Sequence, residues 1–216
     1  MNAAPCGRGR SGIAGTRANA PIQCQFMRAG DLIADRFEVE LLAGSGGVGQ
    51  VYRARDRWSG SPIALKVLKP PSARDTERFA REAQVLARLR HPSIVRYVAH
   101  GKTACGEPYM AMEWLDGEDL AARLAREPLT LAEGIDVVRR AAEALAAAHA
   151  HGIVHRDIKP SNLFLRDARL DDLKLLDFGL AWLVDASREL TRTGLVVGTL
   201  GYMAPEQALG ERIIGA

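Results

Sequence analysis

A repeated alternation of apolar and polar residues is the feature that most limits how this chain can fold. In the segment FEVEL (37–41) apolar residues alternate with glutamates, a period of two that predicts a half-buried strand. The segments 50–56 and 63–69 read as two further strands, and a glycine-rich stretch at 44–49 separates the first strand from the second. This order predicts an antiparallel meander.

The spacing of apolar residues then changes from that of a strand to that of a helix. The segment 72–90 predicts a helix, the segments 94–100 and 108–115 predict strands, and 130–151 predicts a long alanine-rich helix that opens with a T-x-x-E capping box. Three short strand-like runs follow, at 152–155, 162–165 and 173–179. The sequence therefore predicts an α+β fold with its sheet first and a mainly helical half after it.

Charge and composition exclude several classes of protein. The 216 residues are 47% hydrophobic and 25% charged, which is typical of a globular chain with one domain or two small lobes. The net charge is +3, but residues 1–30 contain four arginines and no acid, so the remainder sums to −1 (3 − 4). The basic charge belongs to a predicted flexible tail and does not indicate a nucleic-acid-binding domain.

The cysteines and the hydropathy pattern bear on where the protein works. The three cysteines are scattered and form no C-x-x-C pair, so neither a disulfide framework nor a zinc site is expected. No apolar run approaches the length of a membrane span. These features favour a reducing, cytoplasmic location.

Glycines 44, 46 and 49 form a G-x-G-x-x-G pattern, which has three interpretations. A dinucleotide site requires a helix after the glycines, whereas a strand follows them here. A glycine loop between two antiparallel strands can instead lay its backbone N–H groups over phosphates. The third interpretation is a flexible hairpin without a ligand.

Lys66 lies within an otherwise apolar strand, IALKVL. A lysine in such a strand commonly points to solvent, but Ala64 shares its face and would leave room for a flat ring beside it. A buried ammonium also needs a carboxylate partner. Glu82, which borders the apolar face of the predicted helix 72–90, is the best candidate.

The stretch HRDIKPSN (155–162) places an imidazole, a guanidinium, a carboxylate, an ammonium and an amide on a loop, because Pro160 excludes a helix interior. Asp157 can accept a hydroxyl proton or orient the attacking oxygen, and Lys159 can neutralise a transferring phosphoryl group. Asn162 and the later Asp177 offer the hard oxygen ligands that suit Mg²⁺. Taken singly, these residues also fit a surface ion pair and a helix N-terminal turn.

Together, in this order, the motifs resemble the eukaryotic-like protein kinases, and in particular the serine/threonine kinases of bacteria. The residues that carry the resemblance are GSGGVGQV, IALK, the Glu82 helix, HRDIKPSN, DFG and APE, and they span about residues 31–206. The resemblance implies a bilobal fold with an antiparallel N-lobe sheet over 31–115. An incomplete, mainly helical C-lobe would follow over 116–216.

The resemblance also implies roles for individual residues in binding ATP and Mg²⁺. Lys66 would bind the α- and β-phosphates and pair with Glu82, Asp157 would be the catalytic carboxylate, and Asn162 and Asp177 would hold the metal. Lys159 and Thr199 match the serine/threonine-specific pattern. The residues expected around the nucleotide are Leu42, Gly44, Ser45, Gly46, Gly47, Val48, Gly49, Val51, Ala64, Lys66, Met112, Glu113, Leu115 and Phe164.

Regulation and partners follow from the same resemblance. Arg156 would bind a phosphorylated threonine, and Thr191 and Thr193 match positions that related bacterial kinases phosphorylate. The alternative is that both are ordinary loop threonines. The segment from DFG to APE, which small-molecule kinases lack, favours protein substrates, and a homodimer is one arrangement for autophosphorylation in trans.

The chain stops ten residues after Glu206, before most of the helical lobe of the family. We therefore expect a truncated kinase in which the helix 130–151 presents apolar surface to solvent. Two functions stay open. One is ATP-dependent phosphorylation of serine and threonine in proteins, and the other is a catalytically silent nucleotide-binding fragment or interaction module.

Overall fold

The computed structural model describes residues 27–46, 49–69, 79–80, 83–178, 200–202 and 205. Its first part is a six-stranded antiparallel sheet in the order β1-β2-β3-β4-β6-β5. The strands are β1 (Leu32–Ile33), β2 (Phe37–Ser45), β3 (Gly49–Asp56), β4 (Pro62–Leu68), β5 (Tyr97–Lys102) and β6 (Pro108–Glu113). The predicted meander is confirmed as β2, β3 and β4, with both hairpins closing where the sequence places them.

The strand predicted at 94–100 begins later than the sequence indicates. β5 starts at Tyr97, and Ile94 forms only an isolated bridge with Leu175 in the second half of the chain. The backbone N–H of Val95 also donates to the carbonyl oxygen of Leu175, at 3.1 Å. The segment before β5 is therefore bound to a distant strand through Ile94 and Val95, and it meets the end of β6 only at Arg96.

The second part of the molecule combines a small sheet with two helices. The sheet has the order β7-β8-β9, formed by β7 (Gly117–Asp119), β8 (Leu163–Arg166) and β9 (Leu173–Leu175). Helix α1 (Leu120–Arg126) precedes helix α2 (Leu131–His149), and only α2 was predicted. The capping box at Thr130 and Glu133 is present, and its reciprocal hydrogen bonds stabilise the start of α2.

The segment 152–155 is not a strand, which corrects the prediction from its apolar residues. Gly152 has a positive φ of 72°, and the N–H of Ile153 returns to the carbonyl oxygen of Ala148 at 3.1 Å. The helix thus closes with a turn rather than continuing into a sheet. The apolar side chain of Ile153 packs against the core from this turn.

Two clusters of buried side chains divide the core between the faces of the larger sheet. One face carries Phe37, Tyr52, Ala54, Ile63 and Leu65, which pack with one another. The opposite face contributes residues such as Leu68 and Met110 to a larger cluster that continues through α2, β8 and β9. The alternation of strand side chains therefore sends one set into the sheet's own core and the other towards the second half of the chain.

An exposed apolar stripe runs along helix α2. Leu131, Ile135 and Val138 follow the spacing of one helical face and are 83%, 60% and 67% exposed. The opposite face, with Val137, Ala141, Ala144 and Ala148, is buried. The apolar surface that the sequence predicts on this helix is therefore present.

We expect the double substitution Ile135→Glu and Val138→Lys to reduce self-association of the purified chain, because exposed apolar patches favour association. Sedimentation velocity at several concentrations measures the effect. Ala141→Glu is the matched variant on the buried face, and it should lower the unfolding temperature instead. Unchanged self-association of the double variant would contradict the prediction.

Cys105 lies exposed in the turn between β5 and β6. Among the described residues, no helix has the length and hydropathy needed to span a membrane.

Candidate active site

The residues predicted around a nucleotide lie mostly on one face of the larger sheet. Val51 on β3 is directly opposite Lys66 on β4, and Ala64 on β4 is directly opposite Met112 on β6. Opposite residues of an antiparallel pair share a face, so Val51, Ala64, Lys66 and Met112 line the same side of the sheet. Glu113 ends β6, and Leu115 follows it, half-buried.

The glycine loop connects β2 to β3. Leu42, Gly44 and Ser45 belong to β2, where Leu42 is 45% exposed, while the N–H of Gly46 donates to the carbonyl oxygen of Gly49 at 2.9 Å. The remaining predicted loop residues, Gly47 and Val48, lie outside the described residues.

Two of these glycines have open space around them, and a third does not. A Cβ at Gly44 or Gly46 would meet nothing within 4 Å, which leaves room for a ligand to approach the backbone. A Cβ at Gly49 would come within 2.1 Å of the Val67 carbonyl oxygen, so only glycine fits this position. The backbone of the loop is therefore open to a ligand at Gly44 and Gly46, whereas Gly49 packs closely against β4.

Lys66 is 9% exposed, and its Nζ donates to Oδ1 of Asp177 at 2.7 Å. This contact joins β4 to the segment after β9. The sequence predicted Glu82 as the partner of Lys66, and Glu82 lies outside the described residues, so that pairing stays a prediction. The need of a buried ammonium for a carboxylate was readable from the sequence, but the choice of Asp177 was not.

The catalytic-loop residues form a connected network. Asn162 donates through Nδ2 to the backbone oxygen of Asp157 at 2.7 Å and to its Oδ2 at 3.0 Å. Oδ2 of Asp157 also lies 2.9 Å from Nζ of Lys159. The N–H of Leu176 donates to the carbonyl oxygen of Asn162 at 2.9 Å, which places Asp177 beside this loop.

His155 supports the loop from beneath, a role that sequence reasoning did not assign. It is 1% exposed; its Nε2 donates to the carbonyl oxygen of Leu176 at 2.7 Å, and its Nδ1 accepts from the N–H of Asp157 at 3.3 Å. Its ring stands edge-on to Phe178 at 4.7 Å between centroids. The sequence feature that could have indicated this role is the position of His155 next to Arg156 and Asp157. A buried imidazole can join two backbone segments through its two ring nitrogens.

Two site residues adopt unusual backbone conformations. Arg156 and Asp177 have positive φ angles of 64° and 56°. Such angles are uncommon for residues other than glycine and persist where surrounding contacts hold them, often at functional sites. The hydrogen bonds of His155 to Asp157 and Leu176 lie next to both positions and supply such contacts.

Burial lowers the pKa of His155, and its hydrogen bond to the Leu176 carbonyl opposes this shift only in part. The folded state therefore holds a neutral ring, while the unfolded chain takes up a proton as the pH falls below the ordinary value of 6.5. The stability that His155 contributes is full above that pH and is lost as the pH falls towards the lowered pKa.

We therefore expect the free energy of unfolding to decrease on acidification from pH 7 to pH 5.5, and to decrease less in His155→Phe. Urea unfolding at several pH values measures this. His149→Phe is a control at a half-buried histidine in the last turn of α2. Equal pH dependence in wild type and His155→Phe would rule out His155 as the source.

The oxygen donors present fit a divalent cation of the magnesium type. Nδ2 of Asn162 is used in hydrogen bonds, which leaves its amide oxygen, and Oδ1 of Asp177 binds Lys66, which leaves Oδ2. Mg²⁺ takes few protein ligands and completes its shell with water and phosphate oxygens. The described residues contain no group of three or more His, Cys, Asp or Glu that could hold a metal by themselves.

Several predicted residues cannot be placed. Thr199, Thr191 and Thr193 lie outside the described residues, as does the glycine of the DFG motif. Arg156 is described, and Phe164 lies half-buried on β8. The described part of the site thus contains Lys66, Asp157, Lys159, Asn162 and Asp177, but not Glu82, Thr199 or the regulatory threonines.

Comparison with known proteins relates this site to a family. The protein kinase domain model matches residues 37–214. The chain is 39% identical over 193 residues to the serine/threonine-protein kinase pkn3 of Myxococcus xanthus, covering 85% of this chain and 35% of that protein. It is 43% identical over 187 residues to the DNA damage-responsive serine/threonine-protein kinase RqkA of Deinococcus radiodurans, covering 84% and 27%.

Further relatives agree. Serine/threonine-protein kinase PknA of Mycobacterium tuberculosis is 40% identical over 191 residues, covering 85% of this chain and 44% of that protein. The chain therefore spans less than half the length of these three curated relatives.

Solved structures give the same result. The crystal structure of the Mycobacterium tuberculosis PknI kinase domain matches with a TM-score of 0.63 and 33% identity, covering 72% of this chain and 63% of that one. A double mutant of the same domain matches with a TM-score of 0.68 and 30% identity, covering 87% and 71%. The sheet, the helices and the network around Asp157 are thus a partial bilobal kinase fold, and the chain belongs to the protein kinase family, among the eukaryotic-like serine/threonine kinases of bacteria.

Proposed function

We propose that this chain transfers the γ-phosphate of Mg-ATP to serine and threonine hydroxyls of proteins. One observation carries the proposal: Lys66 binds Asp177, the neighbouring Leu176 binds Asn162 through its backbone, and Asn162 binds Asp157, which pairs with Lys159. These are the residues that the family uses to bind the phosphates of ATP, to hold the metal ion and to orient the acceptor hydroxyl. Their connection through backbone and side-chain bonds provides the positioning on which phosphoryl transfer mainly depends.

Each residue in the series has a distinct task. Lys66 binds the α- and β-phosphates, and its present bond to Asp177 shows that its ammonium reaches the segment that would hold the metal. Mg²⁺ bound by Asn162 and Asp177 would neutralise the charge on the phosphate oxygens. Asp157 orients the attacking hydroxyl and accepts its proton, and Lys159, 2.9 Å from Asp157, stabilises the phosphoryl group in transit.

The adenine ring is proposed to lie between the sheet and β8. Val51 and Ala64 would cover one side of the ring and Phe164 the other, while the backbones of Glu113 and Leu115 bond its edge. The other predicted binding residues, including Leu42, Met112 and the glycine loop, would enclose the ring and the phosphates. The positions of Val51, Ala64 and Met112 on one face of the larger sheet support this arrangement.

The test is to incubate the full chain with Mg-ATP and a protein substrate mixture and then identify the phosphoamino acids formed. Phosphoserine and phosphothreonine without phosphotyrosine are expected. Nucleotide binding without any transfer would favour the second function, a silent nucleotide-binding module, which the exposed stripe of α2 also fits as a contact surface. Failure to bind Mg-ATP would overturn both.

Regulation is proposed to act through the activation segment. Phosphorylation of Thr191 or Thr193 would add charge that Arg156, next to the catalytic carboxylate, can bind. Peptide mapping of the incubated chain tests this, and Thr191→Ala with Thr193→Ala should abolish the modification. A rate that rises with protein concentration would support transfer between two copies in a homodimer. The proposed location of this activity is the cytoplasm, where ATP is supplied.

A further inference from the structure

Lys174 is a buried cation that the predicted catalytic and binding residues do not include. It lies at the centre of β9, is 8% exposed, and has Glu113 as the one ion-pair partner recorded for it in the described part of the chain. Its Nζ is 3.8 Å from Oε1 of Glu113. At this distance the two groups attract by charge rather than through a short hydrogen bond.

The position of Lys174 places it next to the proposed floor of the adenine site. It is directly opposite Phe164 in the antiparallel β8–β9 pair. Leu163 and Leu165 of β8 face the core together with Leu175, so Phe164 and Lys174 share the other side of this sheet. The aliphatic stem of Lys174 therefore lies beside Phe164, and its ammonium points to the end of β6.

Glu113 is itself held by several contacts. Its Oε1 accepts from the N–H of Arg96 at 2.7 Å, and its own N–H donates to the Arg96 carbonyl oxygen at 2.9 Å. The guanidinium of Arg96 adds an ion pair at 3.9 Å. The carboxylate thus fixes the end of β6, whose backbone is proposed to bond adenine, against the segment before β5.

The contact between Lys174 and Glu113 closes a ring of interactions between the two sheets. Leu175, the neighbour of Lys174, accepts from the N–H of Val95 at 3.1 Å and donates to the Ser93 carbonyl oxygen at 2.8 Å. Val95 leads directly to Arg96, which binds Glu113. The ring therefore joins β9, the segment 93–96 and the end of β6, with Lys174 as its side-chain link.

We propose that Lys174 is a positioning residue for ATP. Lys174 sets the distance between the backbone at Glu113, which bonds adenine, and Phe164, which covers the other side of the adenine ring. The inference rests on the proposed function, because it presumes that adenine binds there. Lys174 would act on the adenine half of ATP and not on its phosphates, since the proposed phosphate ligand is Lys66 on β4, which pairs with Asp177 and not with Lys174.

The test measures the affinity of the full chain for Mg-ATP, for adenosine and for Mg-triphosphate, an inorganic probe without a base. In Lys174→Met we expect the dissociation constants of Mg-ATP and adenosine to rise roughly three- to tenfold, the range of a moderate coupling, while that of triphosphate stays unchanged. The KM for ATP should rise with them, and kcat should change less than KM.

Three further variants separate positioning from simple stability. Lys174→Arg keeps the charge and should restore adenosine affinity, whereas Lys102→Met removes an exposed lysine at the end of β5 and should have no effect. Glu113→Gln should weaken the binding of adenosine as Lys174→Met does. The double variant should bind adenosine no more weakly than either single variant, because both substitutions remove the same contact.

The outcomes distinguish the two proposals. A wild-type chain that does not bind Mg-ATP would overturn the proposed function and this inference with it. A wild type that binds, with Lys174→Met binding adenosine equally well, would overturn this inference alone. If Lys174→Met binds adenosine and triphosphate equally weakly and also unfolds at a lower temperature, Lys174 only stabilises the fold. That result would overturn this inference as well.

Discussion

Replacing Asp157 by asparagine is expected to lower the rate of phosphate transfer by roughly 10³-fold, within the range that a positioned catalytic base contributes. The amide cannot accept the hydroxyl proton, and it removes the charge that faces Lys159 at 2.9 Å. Nucleotide affinity should change little, because Asp157 is proposed to act on the acceptor hydroxyl. Initial rates of phosphate incorporation at saturating Mg-ATP measure the effect.

Folding should survive this substitution. The Asp157 side chain is 40% exposed, and the bond from Asn162 to the backbone oxygen of residue 157 does not depend on the carboxylate. Asp171→Asn is the matched control: it changes an exposed aspartate, paired with Arg169 in the β8–β9 turn, and should leave the rate unchanged. A folded Asp157→Asn chain that retains a tenth or more of wild-type activity would contradict the assigned role.

Asp56→Ala is expected to lower the free energy of unfolding by about 3–5 kcal/mol, the loss that follows when one partner of a buried ion pair is removed. Asp56 is 2% exposed and accepts from Nε and Nη2 of Arg36, both at 2.8 Å. It also accepts from the N–H of Trp58 and the hydroxyl of Ser59, each at 3.1 Å. The substitution leaves all of these donors without their acceptor.

The pKa of Asp56 supports the same expectation. The hydrogen bonds from Arg36, followed by those from Trp58 and Ser59, lower it to about 2 from an ordinary 3.8, against the opposing effect of burial. A carboxyl with a lowered pKa stabilises the fold fully above its ordinary pKa, and this contribution disappears as the pH falls towards 2. Asp56→Ala should therefore remove part of the acid sensitivity of the wild type.

A double-mutant cycle decides whether the loss belongs to the pair. Arg36→Met combined with Asp56→Leu replaces both charges by apolar groups. The double variant should lose much less free energy of unfolding than the sum of the losses in the two single variants. Denaturant unfolding of the four chains gives the coupling. If Asp56→Ala alone proves as stable as the wild type, the pair contributes nothing and the prediction is wrong.

The candidate site was predictable to the extent that its chemistry lies in short segments. The loop around Asp157 and Asn162, the lysine of β4 and the acid at 177 each occur in a motif whose spacing indicates phosphate or metal binding. The hairpins of the sheet were predictable for a similar reason, because alternation and turn residues act locally. The partner that Lys66 contacts was not, since a buried ammonium can pair with any carboxylate that the fold brings near it.

Other features depend on distant packing and left little local signal. β7 and α1 were not predicted, because a three-residue strand forms only where β8 offers a partner, and α1 is short. The apolar segment 152–155 reads as a strand, but no strand in the described part of the chain pairs with it, and the turn at Gly152 decides its path. The role of His155 likewise appears only when the segment after β9 packs beside it, and that of Lys174 only when the end of β6 lies near β9.

The sequence by itself determined the family, the meander of the larger sheet, the capped helix and the identity of the candidate catalytic residues, because each depends on periodicity or on a short motif. Only the tertiary structure decided which charges meet. Lys66 binds Asp177, 111 positions away, and Lys174 faces Glu113 from another sheet. Such pairs form because burial forces each charge to find a partner, and the fold alone brings that partner within reach.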